Sequence, residues 1–291
     1  MVNNILAVIP AYNESAKIAD VISRVRRFAQ QVIVVNDGST DNTQYLAEAA
    51  GALVLEIQER TGNSNALIRG FKFAIQNGFH TVVTIDADGA HNPEEIPSLL
   101  TTHINLKCHL TIGNRFDPSQ LQHIPSTKRW SNFFAASMVN RILGLSLNDV
   151  ACGFRVLQFD LLKALIKNST LHGYAIAYEM IAVARGKSFK IGSSPVRVHY
   201  DASNILCTRQ QEFLDLLRAL INMQFTSKEM LLSLNQIYEV ASNLQPFTIK
   251  IAKMTLCIHP LLTEGGYLFQ LQDQNFTIQT IGQYFDLDII N

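Results

Sequence analysis

The chain has 291 residues, 47% hydrophobic and 16% charged, with 24 basic residues against 24 acidic ones. That length suffices for one large domain with an extension, and zero net charge withholds the broad attraction that nucleic acid needs. Four cysteines without a C-x-x-C pair suggest neither a zinc site nor a disulfide framework. The absence of a long apolar run and of a basic-flanked leader makes a cytoplasmic protein the expectation.

Residues 5–9 form an apolar run stopped by Pro10, which predicts a first buried strand, and Pro10-Ala11-Tyr12-Asn13-Glu14 predicts a loop. Ile18, Val21, Ile22 and Val25 follow helical spacing within residues 16–28, with Ser15 as the N-cap. Residues 31–35 predict a second strand ending in the polar turn Asn36-Asp37-Gly38-Ser39, and 44–50 a helix. Strand 52–57, helix 66–76 and strand 81–85 continue the βαβα series, which predicts a mainly parallel sheet.

Strand 81–85 runs into Asp86-Ala87-Asp88-Gly89, two carboxylates at spacing two. On an extended chain such residues point the same way, toward the strand end where open α/β sheets place ligands. Like charges so close repel unless a cation separates them, and oxygen-only ligands suit Mg²⁺ or Mn²⁺. Taken alone, the same residues also fit a polar strand end with an Asp/Gly turn. The loops after the first, second and fourth strands share one sheet edge, so Tyr12, Glu14, Asp37, Asp86 and Asp88 are expected to meet there around a nucleoside diphosphate and its metal.

Beyond this, a helix starts near Pro93-Glu94-Glu95 and a fifth strand covers 110–112, placing Arg115 on the same edge. Residues 117–127 predict a long polar loop able to act as a lid, followed by a helix from Lys128 through Arg129 to Phe133, Phe134, Met138, Val139, Ile142 and Leu143. Asp149 and Arg155 follow within seven residues. Residues 191–200 predict a closing strand, 212–223 and 228–244 helices, and 247–291 a small β-rich appendage.

Pro10-Ala11-Tyr12-Asn13-Glu14, Asn36-Asp37-Gly38-Ser39, Asp86-Ala87-Asp88-Gly89 with His91 and Pro93, Gly113-Asn114-Arg115, Asp149 with Gly153-Phe154-Arg155, and Pro195-Val196-Arg197-Val198-His199-Tyr200 follow one another in order. Together, over roughly residues 4 to 220, they resemble the family 2 inverting glycosyltransferases with the GT-A fold, among them the dolichol- and polyprenyl-phosphate mannose and glucose synthases. The resemblance implies an α/β fold, a Rossmann-like, mainly parallel sheet flanked by helices. It divides the chain into a catalytic domain over residues 1–226 and a C-terminal helical and β-rich extension over 227–291.

It also implies roles. Pro10, Tyr12, Glu14 and Asp37 would hold the nucleoside, Asp86 would lie by the ribose and diphosphate, and Asp88 would ligate Mg²⁺ or Mn²⁺. Arg115 and Arg129 would hold phosphates, with Arg155 and Arg197 as further candidates; Arg155 equally fits an ion pair with Asp149. His91 is either a third metal ligand beside Asp86 and Asp88 or a plain neighbour of the turn. The donor would be a nucleotide-diphosphate sugar and the acceptor a lipid phosphate, which is already ionised, or a saccharide hydroxyl, which needs a base; Asp149 is the first choice and Glu179 the second. A lipid acceptor would be met peripherally on the cytoplasmic membrane face, and a homo-oligomer remains open.

Two positions depart from the family pattern: Gly62-Asn63-Ser64 stands where a Gly-Lys-Gly stretch is usual, and Ala90 where a glutamine is common. Those losses also fit a nucleotide-sugar-binding protein without turnover. The Ile85-Asp86-Ala87-Asp88-Gly89 stretch additionally matches the start of haloacid-dehalogenase-like phosphatases, though these carry it near the beginning of the chain.

Overall fold

The computed structural model describes residues 4–118, 121, 124, 126–168 and 176–199, and the strands 247–251, 254–261, 266–273 and 276–281. The expected helices at 212–223 and 228–244, the boundary at 226/227 and most of the loop at 117–127 lie outside these residues.

The first region is a seven-stranded sheet in the order β3-β2-β1-β4-β6-β5-β7. Its strands are β1 (Ile5–Ala11), β2 (Gln31–Asp37), β3 (Leu53–Ile57), β4 (Thr81–Thr84), β5 (Leu110–Asn114), β6 (Arg155–Gln158) and β7 (Ile191–Pro195). All neighbours run parallel except β6, which is antiparallel to both β4 and β5. Its central strands are apolar on both faces because helices cover both sides; Leu6, Ala7, Val8, Ile9, Ile33, Val34 and Val35 are inaccessible to solvent.

Those helices are α1 (Ile18–Val25), α2 (Thr43–Ala49), α3 (Asn63–Gln76), α4 (Ile96–Asn105, entered through a 3-10 turn at Pro93–Glu95), α5 (Ser126–Leu143), α6 (Phe159–Asn168) and α7 (Ile176–Gly186). The stripe Ile18, Val21, Ile22 and Val25 is the buried face of α1, as the spacing predicts. In α5, Val139 and Leu143 of the expected stripe are buried while Phe133 is exposed.

Three expectations at element ends are corrected. β1 does not stop at Pro10 but continues to Ala11, pairing Pro10 with Val35; on its other side the ladder to β4 ends at Val8, so the missing proline N–H costs no bond there. α1 starts at Ile18 with Lys17, not Ser15, in the N-cap position and without a side-chain cap bond; Ser15 lies outside the helix, its N–H donated to Asp41 Oδ2 at 3.2 Å. The closing strand ends at Pro195, and the chain then makes an isolated antiparallel bridge from Val198 to His91.

The appendage is a four-stranded antiparallel meander, β8 (Phe247–Ile251), β9 (Met254–Leu261), β10 (Gly266–Asp273) and β11 (Phe276–Ile281), in the order β11-β10-β9-β8. Its β content agrees with the alternating sequence there.

Candidate active site

The carboxyl ends of β1, β2 and β4 do gather the carboxylates. β4 ends at Thr84, so Asp86 and Asp88 sit in a turn rather than on an extended strand; Gly89 takes φ +73°, and Asp88 Oδ1 accepts the Ala90 N–H at 2.9 Å. The Asp86 side chain is 38% exposed, the floor of a crowded cleft. A Cβ on Gly153 would lie 2.6 Å from Asp86 Oδ2, so only glycine at 153 leaves room for that carboxylate. Crowding by protein atoms, and next the charge of Asp88, push the Asp86 carboxyl up to about 7.

Two neighbouring carboxylates, one of them raised in this way, together with phosphate oxygens and water suit Mg²⁺ or Mn²⁺. Among the described residues no group of three or more His, Cys, Asp or Glu side chains is arranged to hold a metal ion, so His91 does not stand as a third ligand beside the pair in this arrangement. Its ring is 3% exposed, with Nε2 3.6 Å from Asp86 Oδ2 and Nδ1 without a partner among the described residues. Burial, then the Arg115 charge, bring its pKa down to about 3, so it is neutral at physiological pH and lines the back of Asp86. Cys152, 3.9 Å from that Nε2, has its thiol pushed up to about 12 by burial, which makes it an inert packing residue.

The loops after β1 and β2 are knitted together. Asn13, at φ +56°, accepts the Thr40 N–H at 2.8 Å and donates its own N–H to Ser39 Oγ at 3.0 Å, while the Glu14 N–H goes to Thr43 Oγ1 at 2.8 Å. Pro10 and Tyr12 are half-buried at this edge, and the Arg60 guanidinium stacks 4.0 Å from the Tyr12 ring centroid. Asp37 is buried, and its oxygens are taken: Thr61 N and Oγ1, both at 2.8 Å, and Gly62 N at 2.7 Å donate to it. The carboxylate expected to hold the nucleoside thus ties down the backbone just before α3.

Asp149 is equally absorbed. Arg115 donates to it through N (3.1 Å), Nε (2.7 Å) and Nη2 (2.9 Å), and the N–H groups of Ala151 and Cys152 add bonds of 3.2 and 3.1 Å. Burial acts against the charge, but Arg115 outweighs it and holds the Asp149 carboxyl below its usual range. That disqualifies it as a proton acceptor near neutral pH. Arg155 is not brought to the cleft: it is 1% exposed and donates to the carbonyls of Cys152 (2.6 Å), Ala177 (2.6 Å) and Val150 (2.8 Å). Its expected pair with Asp149 is therefore replaced by Arg115–Asp149, and Arg155 is a buried tie between β6, the preceding loop and α7.

Glu179 is buried in α7. Arg129 is exposed on α5. Arg197 is exposed beside that turn: its N–H donates to both Glu95 oxygens (3.1 and 3.0 Å), and the His199 N–H to Ala90 O at 2.8 Å pins the segment along it. Sequence reasoning did not single out Arg60 and Thr61, which stand two and one residues before Gly62, the helix N-cap, and lie against Tyr12 and Asp37.

A mainly parallel sheet with one reversed strand, whose carboxyl edge holds an acidic turn beside the loops after β1 and β2, is the architecture of a GT-A glycosyltransferase. The chain belongs to glycosyl transferase family 2: the model of that family, "Glycosyl transferase family 2", matches residues 6–166. This membership displaces the haloacid-dehalogenase reading and makes the protein a family 2 glycosyltransferase. It is similar to an undecaprenyl-phosphate mannosyltransferase from Micrococcus luteus, 33% identical over 55% of this chain and 69% of that one. A UDP-N-acetylglucosamine–dolichyl-phosphate N-acetylglucosaminyltransferase from Methanococcus voltae is 26% identical over 67% of this chain and 86% of that one. Among solved structures, a glucosyl-3-phosphoglycerate synthase from Mycobacterium tuberculosis, in complex with Mn²⁺, UDP and phosphoglyceric acid, shares the fold with a TM-score of 0.58 at 20% identity, over 78% of this chain and 80% of that one.

Proposed function

We propose that this chain transfers a hexose from a nucleotide-diphosphate sugar to a polyprenyl or dolichyl phosphate, with inversion at the anomeric carbon and with Mg²⁺ or Mn²⁺ held by Asp86 and Asp88. The carrying observation is the saturation of Asp149. Five donors and a depressed pKa remove the first-choice base, which suits an acceptor that arrives already ionised. The mannosyltransferase and N-acetylglucosaminyltransferase relatives are named for acceptors of that kind.

An acceptor phosphate oxygen attacks the anomeric carbon opposite the departing nucleoside diphosphate; the bond to the diphosphate breaks as the new one forms, and no covalent enzyme intermediate arises. Asp86 and Asp88 hold the cation, which when bound would neutralise charge growing on the leaving diphosphate. Neutral His91 and Gly153 keep Asp86 in place, and Arg197 and Arg129 are the exposed cations assigned to phosphates. Residues 1–226 are assigned to catalysis and 227–291 to an extension, and the lipid is met from the cytoplasmic face; no helix among the described residues is long and apolar enough to cross a membrane.

The test is turnover of the purified full chain with Mn²⁺ or Mg²⁺ and a panel of UDP- and GDP-sugars, with and without a short polyprenyl phosphate, reading nucleoside diphosphate release. Release that requires the lipid phosphate, with an inverted product anomer by NMR, supports the reading. Release driven by a saccharide hydroxyl and not by the lipid phosphate overturns it.

A further inference from the structure

The nucleotide edge is rich in anions: Glu14, Asp41, Glu59, Asp86 and Asp88 lie on the loops after β1 to β4, and Asp37 beneath them. A nucleoside diphosphate is itself an anion, so one divalent ion leaves much of the local charge unbalanced. On those same loops only two side chains are cationic, Lys17 and Arg60. Lys17 is at the metal turn, its Cδ 3.7 Å from where a Cβ on Gly89 would stand. Asn63, the first residue of α3, is neutral. That leaves Arg60, which the site described so far does not use.

Arg60 is held in place from two sides. Immediately after it, Thr61 and Gly62 give three hydrogen bonds to the Asp37 carboxylate. Underneath, Gly38 at φ +73° lets the chain pass so close that a Cβ there would be 2.9 Å from Arg60 N. Two consecutive residues of the β2 turn therefore fix the backbone at residue 60. The exposed side chain then places its Cζ over Tyr12, 4.0 Å from the ring centroid, and no described carboxylate pairs with it. A guanidinium stacked on a ring keeps its N–H donors in its own plane, and that fork matches two phosphate oxygens.

We propose that Arg60 binds the diphosphate of the donor, and that Asp37 is a positioning residue which acts through the Thr61–Gly62 backbone rather than by touching the nucleoside. This rests on the nucleotide-sugar reading above. In this chain the cationic grip on the leaving group comes from the loop before α3, with the Tyr12 ring as its platform.

The test is calorimetric titration of the full chain, with Mn²⁺ present, by UDP and GDP and by uridine and guanosine, for the wild type, Arg60→Ala, Arg60→Lys, Asp37→Asn and the double variant. Arg60→Ala should weaken nucleoside diphosphate binding about ten- to a hundredfold, the worth of charge-assisted hydrogen bonds, and leave nucleoside binding and the melting temperature unchanged. Arg60→Lys should recover part of the loss. Asp37→Asn should weaken diphosphate binding, and the double variant should bind no worse than Arg60→Ala, because both act through one contact. Undiminished diphosphate binding by Arg60→Ala, or an equal loss for nucleoside and diphosphate, overturns the assignment while the glycosyltransferase reading stands. Failure of the wild type to bind any nucleoside diphosphate overturns both.

Discussion

Asp86 and Asp149 occupy adjoining corners of the same cleft, linked by the loop that carries Cys152 and Gly153, and protein surrounds both; yet their carboxyls are driven in opposite directions. Asp149 meets five donors and falls below its usual pKa; Asp86 meets a neutral His91 Nε2 at 3.6 Å and the like charge of Asp88, and rises to about 7. Burial raises both, and the supply of donors decides the outcome. A carboxylate saturated by its own protein is part of the framework, and one left short of donors is prepared for something that arrives from outside.

The comparison breaks most sharply at the metal turn. Asp88→Ala should lower turnover on the order of a thousandfold, with only a small change in melting temperature in the absence of metal, because the turn bond from Ala90 N–H is lost while the repulsion on Asp86 is relieved; chelation of the divalent ion should lower the turnover of the wild type likewise. Near wild-type activity in Asp88→Ala would sink the metal assignment.

On the framework side the loss should appear in folding instead. Arg155→Met strands three buried carbonyls, at Cys152, Ala177 and Val150, and should cost about 3 kcal/mol or more of stability. Activity per folded molecule should persist, as measured by denaturant unfolding alongside kcat. A variant that unfolds normally but has lost acceptor binding would return Arg155 to the site.

Gly153→Ala tests the contact between the corners. The new methyl would stand 2.6 Å from Asp86 Oδ2, so the carboxylate must shift, and misplacement of about an ångström can cost roughly a hundredfold in rate. Mn²⁺ affinity should fall with the rate. Unchanged Mn²⁺ affinity and rate would mean that Asp86 has room to turn without consequence.

Much of this was legible in the sequence. The apolar runs ending in Asn36-Asp37-Gly38-Ser39 and Asp86-Ala87-Asp88-Gly89 announce a parallel sheet with polar carboxyl ends, and the order of motifs announces the family. What was not legible is who satisfies whom. Asp149 pairs with Arg115, 34 residues away, instead of with nearby Arg155, because β5 and β6 lie side by side and Arg155 points inward from β6. β6 itself was missed: Arg155-Val156-Leu157-Gln158 is four residues long and opens on an arginine, too short and too charged for a period to show. Asp37 reads as a ligand for the nucleoside, and nothing in a sequence says that Thr61 and Gly62 will also give three hydrogen bonds to its oxygens.

The smallest predicted effect separates framework from site by pH. His103 is buried on α4 with Nδ1 3.0 Å from Thr111 Oγ1, and burial, helped by His109, lowers its pKa from 6.5 to about 4. The unfolded chain takes up that proton first as pH falls, so the stability tied to neutral His103 is complete above pH 6.5 and is lost between there and about 4. The Asp149 contribution has the same sign but a lower window, being lost only as pH falls below its ordinary 3.8. Asp86 has the opposite sign: its raised carboxyl favours the folded state on the acid side, and that advantage disappears as pH rises through about 7. A single unfolding curve would blend all three, whereas the difference between wild type and His103→Gln cancels the carboxylates. That difference should change by about 2 kcal/mol between pH 7 and pH 4 and be flat below, with the wild type the more pH-sensitive; a flat difference throughout would assign the acid sensitivity to the cleft rather than to α4.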